Sequence, residues 1–200
     1  MSVLVYIESE EGKFKKASLE VVSYAKGVAE MLGTTVTGVT FNTEDVSELG
    51  TYGVDKVLKI NNSKLNDFNA EAYADAIKQA ADKEGTKVVV VSQSANSKYI
   101  APLLAVHLDA GYASNVVSLP ESASPFVVKR TAFTNKAFSF TKMDTDIKVL
   151  GVSKNAFGLK EVQGAAAAED FSPNLSDEDF SVNVVSVDKA KDKVTIADAE

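Results

Sequence analysis

The sequence predicts an α/β fold: a three-layer, doubly wound, mostly parallel sheet with an antiparallel extension. Three observations carry this. Over the first 119 residues, short β-branched apolar runs alternate with segments whose apolar residues recur at helical spacing. The runs are continuous rather than alternating ("VLVYI", "VVVV"), as in parallel strands covered on both faces. After Pro120 the helical segments stop, and three strand-like runs follow one another across short turns.

The elements follow in order. Ser2–Glu8 ("SVLVYIE") reads as a buried first strand. Phe14, Ala17, Val21, Ala25, Val28 and Leu32 then fall on one helical face, and Gly33 is a natural stop. Thr34–Phe41 is a second strand, "DVSELGTYG" a short helical turn, and Asp55–Ile60 a third strand. After a polar, asparagine-rich loop, Tyr73, Ala76, Ile77, Ala80 and Ala81 mark a helix ended by Gly85. "TKVVVVS" is the fourth strand; Ile100, Leu103, Leu104 and Leu108 mark the next helix; Ala113–Leu119 is the fifth strand. Right-handed crossovers leave a doubly wound sheet as the natural topology. "PFVVKRTAF", "KAFSFTKM" and "DIKVLGV" read as an antiparallel addition, a hairpin and a returning strand. The expected organisation is an α/β domain over 1–160, an irregular acidic and alanine-rich segment over 161–180, and an edge strand with the start of an interdomain linker over 181–200.

Composition narrows the chemistry. The chain has 200 residues and a net charge of −7, which argues against sequence-independent nucleic-acid binding. It has no cysteine, so disulfides, thiolate metal sites and cysteine nucleophiles are excluded. Its one histidine, His107, lies on or beside the apolar stripe of a helix with no partner cluster, the pattern of a packed or partly exposed residue rather than a catalyst. The opening "MSVLVYIESEEGKF" lacks the basic start and long apolar segment of a signal peptide, and no segment is long and apolar enough to span a bilayer. A cytoplasmic protein without membrane insertion is expected. No G-x-G-x-x-G, P-loop, H-E-x-x-H or G-x-S-x-G occurs, and neither a catalytic constellation nor a metal site is expected.

Open α/β sheets bind ligands at the carboxyl ends of their strands, where strand order reverses. Three loops fall there: Ser9–Lys13, Phe41–Thr43 and Ser92–Lys98. The last offers Ser92, Gln93, Ser94, Asn96, Ser97 and Lys98, hydroxyls, amides and a cation at a helix amino end. It contains no glycine, so its backbone cannot wrap phosphates closely. Ser94, Asn96 and Ser97 read better as helix caps. Phe138 and Phe140 share one strand face with Phe133 nearby, and core or interface packing is expected of all three. Lys129 and Arg130 are candidate partner contacts, or the ordinary charges of an exposed strand end. Glu169, Asp170, Asp177, Glu178 and Asp179 read as a solvated linker.

Three stretches carry a resemblance. They are "MSVLVYIESEEGKFKKASLEVVSYAKGVAE", "VVVVSQSANSKYIAPLLAVHLDAGYASNVVSL" and "VVKRTAFTNKAFSFTKMDTDIKVLGVSKNAF". In order, they are similar to the opening strand, acidic loop and long helix, the S-A-x-x-K/R loop with its proline-bearing helix, and the R-x-x-Y-x-G-N/K-A hairpin of one family. The chain resembles the amino-terminal domain of the α subunit of electron transfer flavoproteins, over nearly its whole length. It departs from the pattern at Phe133, where tyrosine is usual, and at Thr134-Asn135-Lys136, where a glycine is usual.

The resemblance implies an adenine nucleotide α-hydrolase-like fold and a heterodimer with a β subunit. It implies FAD in the intact heterodimer, held mainly by a second, carboxyl-terminal α-subunit domain that opens with a strand and a G-G-R-G segment. This chain ends at "VTIADAE", about where that segment is expected, so the resemblance implies that it corresponds to the amino-terminal domain alone. Electrons would arrive from flavin dehydrogenases, such as the acyl-CoA dehydrogenases of fatty acid β-oxidation, and leave to a quinone oxidoreductase. The related β-subunit domain binds AMP through a D-x-N-Q-T-G loop. "SQSANSKY" lacks its aspartates, threonine and glycine. Ser92, Gln93, Ser94, Asn96, Ser97 and Lys98 are therefore expected to be a vestigial nucleotide loop, with no cofactor bound to this domain. The alternative reading is a stand-alone nucleotide-binding module of the universal-stress-like type, which would need glycines in that loop. A PP-loop ATPase would need S-G-G-x-D-S after the first strand, where "ESEEGKF" stands.

Overall fold

The structure is a computed structural model describing residues 2–10 and 12–186. Twelve strands and four helices occur in it: β1 (Ser2–Tyr6), β2 (Ser9–Glu10), β3 (Lys13–Phe14), α1 (Lys16–Leu32), β4 (Thr35–Phe41), α2 (Glu48–Thr51), β5 (Lys56–Ile60), α3 (Ala70–Glu84), β6 (Val88–Ser92), α4 (Ala95–His107), β7 (Gly111–Val116), β8 (Ser122–Ala123), β9 (Phe126–Ala132), β10 (Ala137–Lys142), β11 (Lys148–Val152) and β12 (Ala167–Asp170). Ten strands form one sheet in the order β10-β9-β7-β11-β6-β1-β4-β5-β12, with β8 paired to β9; β2 and β3 make a separate ribbon. From β7 to β12 every pairing is parallel, and β8, β9 and β10 add antiparallel strands at one side. The fold class is the one the sequence predicts.

Each element has a local cause. α1 and α3 end at Gly33 (φ 63°) and Gly85 (φ 60°), left-handed positions that cost glycine little. At both ends the next residue closes the cap: Thr34 N–H donates to Ala29 O and Thr86 N–H to Ala81 O, each at 2.9 Å. Asn69 starts α3, its side chain accepting from Glu71 N–H and Ala72 N–H. In α4, Pro102 withholds the N–H that would reach the Lys98 carbonyl, but it sits on the solvent side.

The sheet separates two cores. Val3, Val5 and Ile7 pack under α1 with Val21, Tyr24 and Leu150, while Leu4 and Tyr6 face α3 and α4 with Ile77, Leu104 and Val149. That split follows from the two-residue period of β1, all five residues of which are buried. The second core includes an aromatic cluster: Phe41 stacks on Tyr73 at 4.1 Å, and Tyr6 meets both edge-on.

Three expectations need correction, and a fourth falls partly outside the described residues. "DIKVLGV" is not part of the antiparallel addition. β11 runs parallel and inserts between β6 and β7, because Val149 and Leu150 are apolar toward both faces. The segment 161–180 is not irregular throughout: β12 pairs with β5 as the edge strand, and Phe171, Leu175 and Phe180 pack at the rim of the second core. The edge strand expected within 181–200 is absent from 181–186, and residues 187–200 lie outside the described residues. The fifth strand also begins earlier than read, at Gly111, and ends at Val116.

The strap from β11 to β12 passes close over α2. Val162 N–H donates to Thr51 O at 2.7 Å, and a Cβ on Gly50 would lie 2.6 Å from the Ala165 Cα. Of the acids read as a solvated linker, Glu169 of β12 pairs with Lys83 and with Lys56 (3.5 Å), and Asp177 beyond it with Lys64 (3.1 Å). The linker acids are thus partly committed to lysines. The Lys83 ammonium holds the Glu169 carboxyl below its usual range.

Three of the six tyrosines are buried beneath the helices. Burial pushes the Tyr6 and Tyr24 phenols well up and Tyr73 up to about 12. The unfolded chain then ionises first, so the stability these phenols contribute is complete below the ordinary value of 10.0 and lost as the pH rises through the folded values. An alkaline absorbance titration is expected to show part of the tyrosinate signal appearing only with loss of structure; uniform titration of all six near the ordinary value would contradict this packing.

Candidate functional site

Strand order reverses between β1 and β6, and the loops leaving them meet there. At the centre is Glu8, at the end of the first apolar run, with 4% of its surface exposed. Its Oε1 accepts from Ser92 Oγ at 3.0 Å, from Ser97 Oγ at 2.7 Å and from Ser94 Oγ. Its backbone N–H donates to Ser18 Oγ of α1 at 3.0 Å, and Lys15 Nζ lies 3.9 Å from Oε2. Ser94 is also the N-cap of α4, accepting from Ser97 N–H at 3.0 Å. The Glu8 carboxylate therefore sits against the amino end of a thirteen-residue helix, where partial positive charge favours an anion.

The three loops named from sequence do converge. Ser9 Oγ lies 2.8 Å from Thr43 Oγ1, joining the first loop to the second, and Glu8 joins the first to the third. Within the third loop the six candidates divide. Ser92, Ser94 and Ser97 hold Glu8. Gln93 turns the other way, its Nε2 donating to Tyr112 OH of β7 at 3.2 Å across Gly151. Half-buried Asn96 and exposed Lys98 lie outside the cluster.

Beside Glu8 opens a cleft of about 890 Å³ between the amino ends of α1 and α4 and the loop after β11. Lys15, Lys16, Gln93, Ser94, Lys154 and Asn155 line it. Its far wall depends on a second buried acid, Glu20 of α1, also 4% exposed. Glu20 Oε2 accepts from Asn155 N–H at 2.8 Å, and Oε1 from Phe157 N–H at 2.7 Å and Gly158 N–H at 2.9 Å. One turn on, Ser23 Oγ exchanges hydrogen bonds with the backbone of Lys160. Phe157, so held, meets the Tyr24 ring edge-on at 5.4 Å.

Sequence reasoning singled out neither Glu8 nor Glu20. The available signal was position: each is an acid abutting an apolar run that must be buried, Glu8 after "VLVYI" and Glu20 between Leu19 and Val21. His107 Nε2 lies 3.0 Å from Glu71 Oε1 of α3, linking the two helices away from the cleft. Among the described residues no group of three or more His, Asp or Glu could hold a metal ion, and no helix is long and apolar enough to cross a membrane.

At the other side of the sheet the β9–β10 hairpin carries the aromatic side chains. Phe133, Phe138 and Phe140 are 82%, 61% and 60% exposed, so none belongs to the core. Phe138 lies opposite Thr131 and Phe140 opposite Lys129, which puts them on one face, and the Lys129 ammonium sits over both rings at 4.3 and 5.9 Å. Arg130 points to the opposite face and donates to Ser114 Oγ at 3.3 Å. The turn holds Phe133, Thr134 and Asn135 at positive φ, so the arm keeps its shape without the usual glycine.

The family model for the electron transfer flavoprotein domain matches residues 3–174. The chain belongs to that family. It is 31% identical over 120 residues to an electron transfer flavoprotein subunit alpha of Clostridium acetobutylicum, covering 58% of this chain and 36% of the relative. It is 25% identical to Protein FixB of Clostridium saccharobutylicum, over 99% of this chain and 61% of that protein. It is 22% identical to an acryloyl-CoA reductase electron transfer subunit beta of Anaerotignum propionicum, over 96% and 61%. The chain thus spans less than two thirds of the length of these relatives.

Glu20 gives this family member a direct test. Glu20→Ala would leave three backbone N–H groups without their acceptor, and stability in urea should fall by about 3 kcal/mol. Glu20→Gln, which keeps one accepting oxygen, should lose less. Amide exchange at Asn155, Phe157 and Gly158 should rise in both; unchanged exchange at these three would contradict the assigned role.

Proposed function

We propose that this chain is the amino-terminal domain of an electron transfer flavoprotein α-type subunit and serves as a non-catalytic scaffold and subunit interface. It packs against a β-type subunit and supports a separate FAD-bearing domain, joined to it by a linker within 181–200. The assembled heterodimer works in the cytoplasm, carrying electrons from flavin dehydrogenases to a quinone-reducing acceptor, with fatty acid β-oxidation as one setting. Bound in that assembly, FAD supplies the redox chemistry. This domain contributes packing and position.

The observation that carries this reading is the β9–β10 arm. A domain whose central strands are buried on both faces leaves three phenylalanines exposed on one hairpin at the sheet margin. Large exposed aromatic side chains on a shaped element are the usual anchors of a protein interface. The Lys129 ammonium over two of them suits a partner surface that brings carboxylates to the rim. The family membership and the α-subunit relatives support the same reading. Ser92, Gln93, Ser94, Asn96, Ser97 and Lys98 remain, in this reading, a vestigial loop that holds no cofactor.

The test is association. Co-expressed with a β-type subunit, the chain should co-purify and should carry no flavin absorption when isolated alone. The F138S/F140S variant should keep its melting temperature within a few degrees and bind the partner about thirtyfold more weakly or worse. Undiminished binding by the folded variant, or a yellow isolated domain, would overturn the proposal.

A further inference from the structure

The Glu8 cluster has the anatomy of an occupied anion site. Three hydroxyls from one strand end and one helix start converge on Oε1, and the helix amino end adds its partial charge. The oxygens that a bound phosphate or carboxylate would present there are already present, on a side chain of the same chain. The Ser92–Ser94–Ser97 set is satisfied internally: Ser92 Oγ also meets Ser97 Oγ at 3.1 Å and accepts from Ser94 N–H at 3.2 Å. The cleft stops at this point, with Ser92 and Ser94 forming part of its lining and Glu8 buried behind them.

We infer that Glu8 is a resident anion, which occupies the anion-binding position at the amino end of α4 and closes that position to the phosphate or carboxylate of a ligand in the adjoining cleft. Two effects produce the exclusion. The side chain fills the volume that a ligand's oxyanion would need. Its own charge repels a second anion at hydrogen-bonding distance. The loop is then not short of donors; its donors are taken. The absence of glycine matters less than the presence of the acid. The inference stands apart from the docking of the β9–β10 arm, which lies at another part of the sheet.

Removing the carboxylate should therefore create a site. In Glu8→Ala the three hydroxyls and the helix end face a vacated pocket beside the cleft. Formate and inorganic phosphate, compared with chloride at equal ionic strength, should raise the melting temperature of E8A in a saturable way. Its affinity for either anion should exceed that of the unmodified protein at least tenfold. Glu8→Gln keeps the volume filled and should stay insensitive to both anions, as should the unmodified protein. Adding S97A to E8A removes a donor and should abolish most of the effect, which separates binding from the general stabilisation that phosphate gives by exclusion from protein surfaces. If E8A is unfolded in chloride, formate should restore a cooperative transition. The inference is overturned if the unmodified protein responds as E8A does, if folded E8A shows no anion-specific shift, if unfolded E8A is not rescued, or if E8A/S97A responds as strongly as E8A.

Discussion

Placing a carboxylate among apolar strands is costly unless the surroundings replace the water it loses, and the penalty runs to several kcal/mol when they do not. Glu8 meets that condition with hydroxyls drawn from Ser92, Ser94 and Ser97 and with a helix amino end. The requirement works in reverse as well. Once the acid sits at the end of β1, the end of β6 and the first turn of α4 must stay where they satisfy it. Ser18 does the same for α1 by accepting the Glu8 N–H. One side chain thus sets the mutual position of two central strands and of helices on opposite faces of the sheet. The convergence of the loops around the cleft follows from that constraint.

Glu20 applies the same device one layer out. Its three accepted N–H groups turn an irregular stretch, Asn155–Gly158, into a fixed wall, and this orients the strap that runs on past Gly50 to β12. The β11 strand that precedes the wall is central to the sheet, so the wall inherits a rigid base. The cleft is framed on one side by an acid that fills a place and on the other by an acid that holds a loop.

The parts legible in the sequence were those with a local cause. Continuous valine runs, helical spacing in α1 and α3, and Gly33 and Gly85 as stops are written in neighbouring residues, and they yielded the fold class. The place of β11 was not legible. "KVLGV" has the same pattern whether it lies at an edge or between β6 and β7, and only long-range pairing decides. β12 escaped because "AAED" has neither branched residues nor alternation; its pairing rests on β5 and on Lys56 and Lys83 reaching Glu169. The shared face of Phe138 and Phe140 follows from the two-residue period, but their exposure depends on no described element covering that face of the hairpin, which no local pattern states. Of the cleft, the loops after β1 and β6 were foreseeable; the loop after β11 and the two acids were not. A buried glutamate is a bargain among distant groups, and its neighbours in sequence record only one party to it.

The same reasoning explains how two parts of the sheet could take different roles. In a doubly wound sheet the switch point is the position most suited to a ligand, because two loops diverge and leave a crevice. Filling the anion position at the base of that crevice with Glu8 turns a binding position into a structural joint. The domain then has a hydrogen-bonded joint at its centre and, at its margin, an exposed aromatic arm on the β9–β10 hairpin. An arm is useful as an anchor only if its base does not yield when the anchor is loaded. β9 rests on β7, β7 on β11, β11 on β6, and β6 is paired with β1 and tied through Ser92 to Glu8 just after it. The hydrogen-bonded ladder therefore connects the closed joint to the exposed aromatic side chains without an intervening flexible loop, so an interface at the arm would draw on the stability of the whole sheet.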